Sequence, residues 1–237
     1  MSEWAPKRFW KSAEVIDGAA GFGVALDGRP VRTPGKSLLR VPTRAMAQAV
    51  ADEWNAVETL VLPDRMPMTR RANSSIEKVA PQKDGVVEML AAYGDADLLC
   101  YRADHPEGLV ERQKAAWDPA LDWAAQTLGA RLEPRTGLMH RPQDPKALAR
   151  LEERLAAFDH FQLTGVHDLV TLSGSLVLGL AATAGWKTPE EIWDISRVDE
   201  TWQQEQWGAD DEAAEAALAR RNGFLDAMLF FQLAGAE

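Results

Sequence analysis

The 237-residue sequence predicts an α+β fold, with a small β-rich amino-terminal domain followed by a larger all-helical bundle domain. Three observations predict it. Short apolar runs bounded by Gly, Pro and Asp fill residues 8–42. From Thr43 onward, helix-capping words recur to the end of the chain. Charge divides the same way: residues 1–84 carry 13 Lys+Arg against 10 Asp+Glu, and residues 85–237 carry 13 against 26. A net +3 beside a net −13 fits two regions of different purpose, or solvated helices in the second half.

In chain order, Glu14–Ile16 reads as a strand leading into the turn cluster Asp17–Gly21. Phe22–Leu26 is a second strand, and Asp27-Gly28 after it is the strongest short hairpin signal, because both positions tolerate positive φ. Pro30–Thr33 and Ser37–Val41 read as further strands separated by Pro34-Gly35, completing a β-meander. Thr43 is an N-cap for a helix over Arg44–Trp54, with Ala47, Val50, Ala51 and Trp54 on one face. A Pro-punctuated crossing, Leu62–Thr69, leads to the second domain, and the division is placed at 1–75 and 76–237.

Beyond it, Asp118-Pro119 reads as an N-cap followed by an N1 proline, with Gly129 ending that helix. Asp144-Pro145 repeats the device before Lys146–Phe158. Leu169–Ala184 is apolar nearly all round, so it reads as one buried helix at the bundle centre, where Gly174, Ser175, Gly179 and Ala182 allow close approach. It is shorter than the roughly 20 residues that span a bilayer, so no membrane insertion is expected. Thr188-Pro-Glu-Glu191 combines an N-cap, an N1 proline and a capping-box glutamate. Asp210 or Asp211 opens a last Ala-rich helix reaching about Leu233.

The function classes narrow by the same reading. Net charge of −10 argues against a nucleic-acid partner. A single cysteine, Cys100, precludes an internal disulfide and fits a reducing compartment; among Leu98, Leu99 and Tyr101 it reads as a small buried hydrophobe. The amino terminus shows neither a secretory core nor a transit region. Gly35-Lys36-Ser37 resembles the end of a phosphate-binding loop, but Pro30 stands where the first glycine is needed, and Pro30 and Pro34 remove amide donors. No pair among His105, His140, His160 and His167 has metal-ligand spacing, and Ser173-Gly-Ser175 lacks the nucleophile frame. No cofactor, metal or catalytic residue is therefore assigned. Carboxylate pairs, Asp95/Asp97 and Asp199/Glu200, leave a carboxylate-dependent hydrolase as an alternative, although Asp97 also suits a cap on Leu98–Arg102.

The helix opened by Thr188 places Trp193, Ser196, Glu200, Gln203 and Trp207 on one face, with Ile192, Ile195 and Trp202 toward the bundle. Aromatic area beside oriented polar groups suits a protein interface. The same pattern suits a core in which both tryptophans are buried and Glu200 pairs with Arg102 or Arg112. Both readings stay open at this point.

Several long words follow one another through the chain: Arg8-Phe-Trp-Lys11, Leu26-Asp-Gly-Arg-Pro30 with Arg32-Thr-Pro34, Glu53-Trp54, Met66-Pro-Met-Thr69, Tyr93-Gly94, Asp97–Ala103, Arg112-Gln113, Trp117-Asp-Pro119, and Glu200-x-Trp-Gln203 with Trp207-Gly208. In this order they resemble the ATP-twelve family, assembly chaperones acting on the α subunit of the F-type ATP synthase catalytic head. The one departure in these words is Asp95-Ala96-Asp97, where the family often carries Thr or Ser before the aspartate. The resemblance implies a bacterial relative in the cytoplasm, with other members in the mitochondrial matrix. It implies a monomeric, non-enzymatic holder of unassembled α subunit that shields a subunit interface without ATP hydrolysis, and a client site at Glu200, Gln203, Trp207 and Trp193. In that frame Arg29 and Arg32 are expected to fix the two domains together. A stable adaptor subunit of a larger complex is the remaining alternative.

Overall fold

The computed structural model describes residues 6–19, 21–137, 139–208 and 210–236. Met1–Ala5 and Ala20, on which part of the amino-terminal and first-turn readings fall, lie outside the described residues. The fold is α+β, and it forms two compact units. One comprises 1–83, 159–165 and 229–237; the other comprises 84–158 and 166–228.

In the first unit, β1 (Ala13–Gly18) and β2 (Gly21–Leu26) pair antiparallel from Ala13↔Leu26 to Gly18↔Gly21. Asp27 at φ 46° and Gly28 at φ 80° turn β2 into β3 (Arg29–Pro30), as the Asp-Gly word predicts. β4 (Arg40–Val41) also pairs with β2. The two later strands are thus shorter than expected: Arg32 and Leu38 share a single bridge, and Arg32 donates to the Lys36 carbonyl at 2.6 Å across the intervening turn. Prolines at 30 and 34 deny that stretch the donors a longer ladder needs. Arg32 is thereby committed within its own loop, and Arg29 is exposed.

Helix α1 (Arg44–Ala56) starts at its Thr43 cap, whose hydroxyl accepts from the Met46 amide, and buries Ala47, Val50 and Ala51. The next helix, α2 (Pro67–Ser74), begins inside the expected crossing. The Glu53 carboxylate supplies its missing cap, accepting from Met68 N at 2.6 Å and Thr69 N at 2.8 Å. Trp10 packs edge-on to Trp54 at 5.1 Å and donates its indole N–H to the Trp54 carbonyl. Arg8 donates to four carbonyls, those of Trp10, Lys11, Asn55 and Val57. Two distant stretches join this unit through specific bonds: Thr43 Oγ1 donates to the Leu233 carbonyl, and Ser75 Oγ to Thr164 Oγ1. Phe161 and Phe230 enter the same core. The Trp-, Arg- and Glu-bearing words of this half are therefore internal joints.

The second unit contains α3 (Lys83–Asp95), the short parallel pair β5 (Tyr101–Arg102) and β6 (Arg135–Thr136), α4 (Glu107–Trp123), α5 (Pro145–Ala156), α6 (His160–Ser173, from Val166), α7 (Leu176–Thr183), α8 (Pro189–Ser196), α9 (Val198–Trp207) and α10 (Asp211–Ala234, to Met228). Asp144 caps α5 and Thr188 closes a full capping box on α8. Two expectations change. Asp118-Pro119 does not start a helix, because α4 runs through Pro119. An interior proline costs about 3 kcal/mol, but α4 buries Gln113, Trp117, Ala120 and Leu121 along one face, and Asp118 holds Arg102 at 2.8 Å instead of capping. The apolar run Leu169–Ala184 is two helices. Gly174, at φ 76°, takes a left-handed turn closed to other residues at low cost, and Ser175 recaps α7. All of Leu176–Ala182 is buried, so the expected central helix is α7.

Within that helical hairpin, a β-carbon on Gly179 would lie 2.7 Å from Val170 Cγ2. Helix propensity favours alanine over glycine by about 1 kcal/mol, while overpacking against a stiff β-branched neighbour costs about 1–3 kcal/mol. Gly179→Ala is therefore expected to lose about 1 kcal/mol in urea unfolding. A gain in stability would show that Val170 yields to the added methyl.

Candidate functional site: a tryptophan-lipped groove

A polar joint supports the site. Asp97, fully buried, accepts from Leu99 N and Val177 N, each at 3.0 Å. Arg102 lies over the Trp117 ring at 5.3 Å and pairs with Asp118. The Gln113 amide accepts from Ala103 N and donates to Asp199 Oδ1, both at 2.8 Å. Trp117 donates its indole N–H to the Ile195 carbonyl at 2.8 Å. Three of the long sequence words thus meet in one network, and it holds the end of α8 and the start of α9.

Trp193, Ser196, Glu200, Gln203 and Trp207 were expected along one continuous helix. That helix breaks at Arg197, with φ −108° and ψ 15°, between α8 and α9. Ser196 Oγ donates to the Trp193 carbonyl at 2.6 Å and Arg197 N to the Asp194 carbonyl, closing α8 with a tight turn. No Gly or Pro marks this break, so nothing in the local sequence announces it. Even so, the break does not scatter the group. Trp193, Glu200, Gln203 and Trp207 line one groove of about 450 Å³, whose other wall is Ala213, Ala216 and Ala217 of α10.

The two tryptophans take opposite roles. Trp193 is buried, its ring 5.6 Å from that of Phe224, with the Arg197 guanidinium 5.3 Å above it. Trp207 is 80 % exposed at the groove's lip. Glu200 pairs with Arg197 of the preceding turn, not with Arg102 or Arg112; the latter holds Glu205 at 2.7 Å. Burial, and then the nearby Arg220 guanidinium, hold the Arg197 pKa below its ordinary value, with Asp199 opposing them; Glu200 is the carboxylate in direct contact with it. Sequence reasoning missed Arg197, which is placed by the break it could not foresee.

The other candidates are engaged elsewhere. The Gly35 amide donates to the Glu77 carboxylate, so this donor is already engaged within the chain. Burial pushes the Cys100 thiol up to about 12, far from a reactive thiolate. Among the described residues no group of three or more His, Cys, Asp or Glu is placed to hold a metal ion, and no helix is long and apolar enough to cross a membrane.

An open groove with one exposed aromatic at its lip, carried on a scaffold of internally satisfied joints, has the form that suits a protein-binding module rather than an enclosed small-molecule pocket. Comparison with known proteins sharpens that class. Residues 7–125 match the family described as ATP12 chaperone protein. The chain is 49% identical to Atp12 from Paracoccus denitrificans, with a TM-score of 0.93 over 96% of this chain and 98% of that one. The Atu1473 protein of Agrobacterium tumefaciens is 41% identical at TM-score 0.93, covering 96% of this chain and 86% of that one. Among curated proteins, the mitochondrial protein atp12 of Schizosaccharomyces pombe is 23% identical over 88% of this chain and 76% of its own length. The chain belongs to the ATP12 chaperone family.

Proposed function

We propose that this chaperone holds the unassembled α subunit of the F-type ATP synthase catalytic head, covering its subunit interface until the neighbouring subunit displaces it. A ring subunit exposes apolar interface before assembly, and such patches aggregate. A holder lowers the free concentration of the sticky species by mass action, without nucleotide hydrolysis. The observation that carries the reading is Trp207, a large aromatic 80 % exposed at the lip of the groove in a member of a chaperone family. Glu200, Gln203 and Trp193 complete the proposed client site. The engaged Gly35 amide supports a cycle independent of ATP. We further propose that it acts as a monomer in the cytoplasm, a compartment that the bacterial source of two relatives suits.

Capture from cell lysate tests the client: recovery of α subunit supports the reading, and capture of a different abundant partner with no α subunit overturns it. With purified α subunit, Trp207→Ala is expected to weaken binding by about 2 kcal/mol, roughly thirtyfold, as for a central aromatic anchor. Its melting temperature should not move, because the side chain is exposed. Glu200→Lys is expected to weaken binding by about tenfold or more through reversed charge, with a small fall in melting temperature because it unpairs Arg197, whereas Glu200→Gln should lose binding with less effect on stability. Equal loss of thermal stability and binding in that variant would make Glu200 a purely structural partner of Arg197.

A further inference from the structure

Cations are scarce in the carboxyl-terminal half of the chain, and nearly half of them crowd into one stretch. Residues 131–154 hold six of the 13 Lys+Arg of residues 85–237, but only four of the 26 Asp+Glu. Lys146, Arg150 and Arg154 recur every fourth residue, so they form one exposed stripe along α5, beside the row Ala147, Leu151 and Leu155 that the helix buries. The stripe faces a groove. Two hollows of about 790 Å³ and 510 Å³ share Gly129, Arg150 and Glu153, and together they follow α5 from Asp144 to Ala157. That is about 20 Å of helix. Leu128 and Leu180 supply the apolar surface of the groove.

The lining sets four cations, Arg131, Lys146, Arg150 and Arg154, against two carboxylates, Asp144 and Glu153. Both carboxylates are engaged within α5: Asp144 accepts from the Lys146 amide at 3.0 Å as the helix cap, and Glu153 holds Arg150 at 2.8 Å. Arg131 and Lys146 have no carboxylate partner among the described residues, and Arg154 lies over the Phe158 ring at 5.2 Å. A positive groove thus stands in the half of the chain that is otherwise acidic. Like charges four residues apart repel along a helix, and a partner of opposite charge removes that cost.

We propose that this groove is a second contact surface, which receives an acidic amphipathic helix of a protein partner. The apolar face of that helix lies on Leu128 and Leu180. Its carboxylates, repeating every fourth residue, meet Lys146, Arg150 and Arg154 at the same interval of about 6 Å along α5. Charge complementarity sets the orientation and the encounter rate. The surface shares no lining residue with the Trp207 groove, so its occupant need not be the α subunit. A nucleic acid or an anionic bilayer suits it less, because a long polyanion extends past the groove onto a chain of net charge −10. The acidic start of α10 in a second copy has the right charge, but such a head-to-tail contact does not close on itself.

The test uses the full chain and a designed ~18-residue Glu/Leu/Ala amphipathic peptide with Glu at every fourth position, beside a scrambled peptide of the same composition and a Lys counterpart. The patterned Glu peptide is expected to bind about tenfold or more tighter than either control, and its affinity is expected to fall about tenfold between roughly 50 and 300 mM NaCl. Lys146→Gln with Arg154→Gln spares the Arg150–Glu153 pair. This double variant is expected to weaken binding by about tenfold with no change in melting temperature. Charge reversal by Lys146→Glu, Arg150→Glu and Arg154→Glu together is expected to abolish binding, with circular dichroism checking that α5 remains helical. If the reversed variant does not fold, the double Gln variant decides.

Failure of the Glu peptide to bind, or equal affinity of wild type and the double Gln variant for it, overturns the proposal. So does a scrambled or Lys peptide that binds as tightly. Tighter binding of a ~20-nucleotide single-stranded DNA, or of phosphatidylserine-rich vesicles, that the double Gln variant loses would assign the groove to a polyanion instead. Sedimentation showing association of copies that the same variant dissolves would assign it to self-contact and equally overturn the proposal.

Discussion

Replacing Trp117 by alanine is expected to lower global stability by about 4 kcal/mol, the range for deleting a fully enclosed aromatic. The ring is completely buried on α4, the Arg102 guanidinium lies over it, and its N–H holds the Ile195 carbonyl. Three losses therefore coincide: apolar contact, the cation–ring contact, and a bond at the end of α8. For a chain of this length, each kcal/mol moves the melting temperature by about 2–4 °C, so a fall of roughly 10 °C is the measurable outcome. Trp117→Phe separates the terms. It keeps most of the ring and loses only the donor, so it should cost about 1–2 kcal/mol. A phenylalanine variant as unstable as the alanine one would show that the hydrogen bond, not packing, secures the joint.

The second large effect is a pH dependence written into Asp97. Its carboxylate caps the turn Leu98–Cys100 and also accepts from the first turn of α7. Burial raises its pKa to about 6, and the amide hydrogen bonds from Val177 and Leu99 oppose that rise without cancelling it. In the unfolded chain an aspartate titrates near 3.9. Between about pH 4 and pH 6 the native state therefore holds the proton more tightly than the unfolded state. The resulting stability is fully present below the unfolded value and is lost as pH rises through the folded one, about 3 kcal/mol in all.

Asp97→Asn removes this term while keeping one carbonyl acceptor. The stability difference between wild type and the variant, from urea titrations, is expected to favour wild type by about 2 kcal/mol more at pH 4 than at pH 7, the rest of the effect lying below pH 4. A difference that stays flat across this range would mean that Asp97 titrates normally. The subtraction isolates this carboxyl from every other group that titrates on acid unfolding.

The family words stand out in the sequence because they combine Trp, Arg, Gln and carboxylate, and the structure shows why such residues were needed. Arg8, Glu53, Gln113 and Trp117 each satisfy backbone groups on a segment distant in sequence. A buried amide or carbonyl left without a partner costs about 1–3 kcal/mol, so each joint is specified by a side chain of the right length and polarity. The same chemistry explains why Trp193 and Trp207 were indistinguishable beforehand. An aromatic packed on Phe224 and one standing in water share the same helical spacing with their polar neighbours.

The sequence by itself determined the α+β class, the Asp27-Gly28 hairpin, the caps at Thr43, Asp144 and Thr188, and the family. Each of those signals is local or is an ordered string of words, so it is carried by residues within a few positions of one another. The tertiary structure alone decided that α4 would run through Pro119, that the central apolar run would fold back at Gly174, and that the Trp-bearing helix would break at Arg197. It alone decided that Glu200 would serve Arg197 and that Trp207 would remain open while Trp193 was covered. Those outcomes depend on which distant surfaces become available to bury a face or satisfy a charge, and burial free energy of that kind outweighs local preference wherever the two disagree.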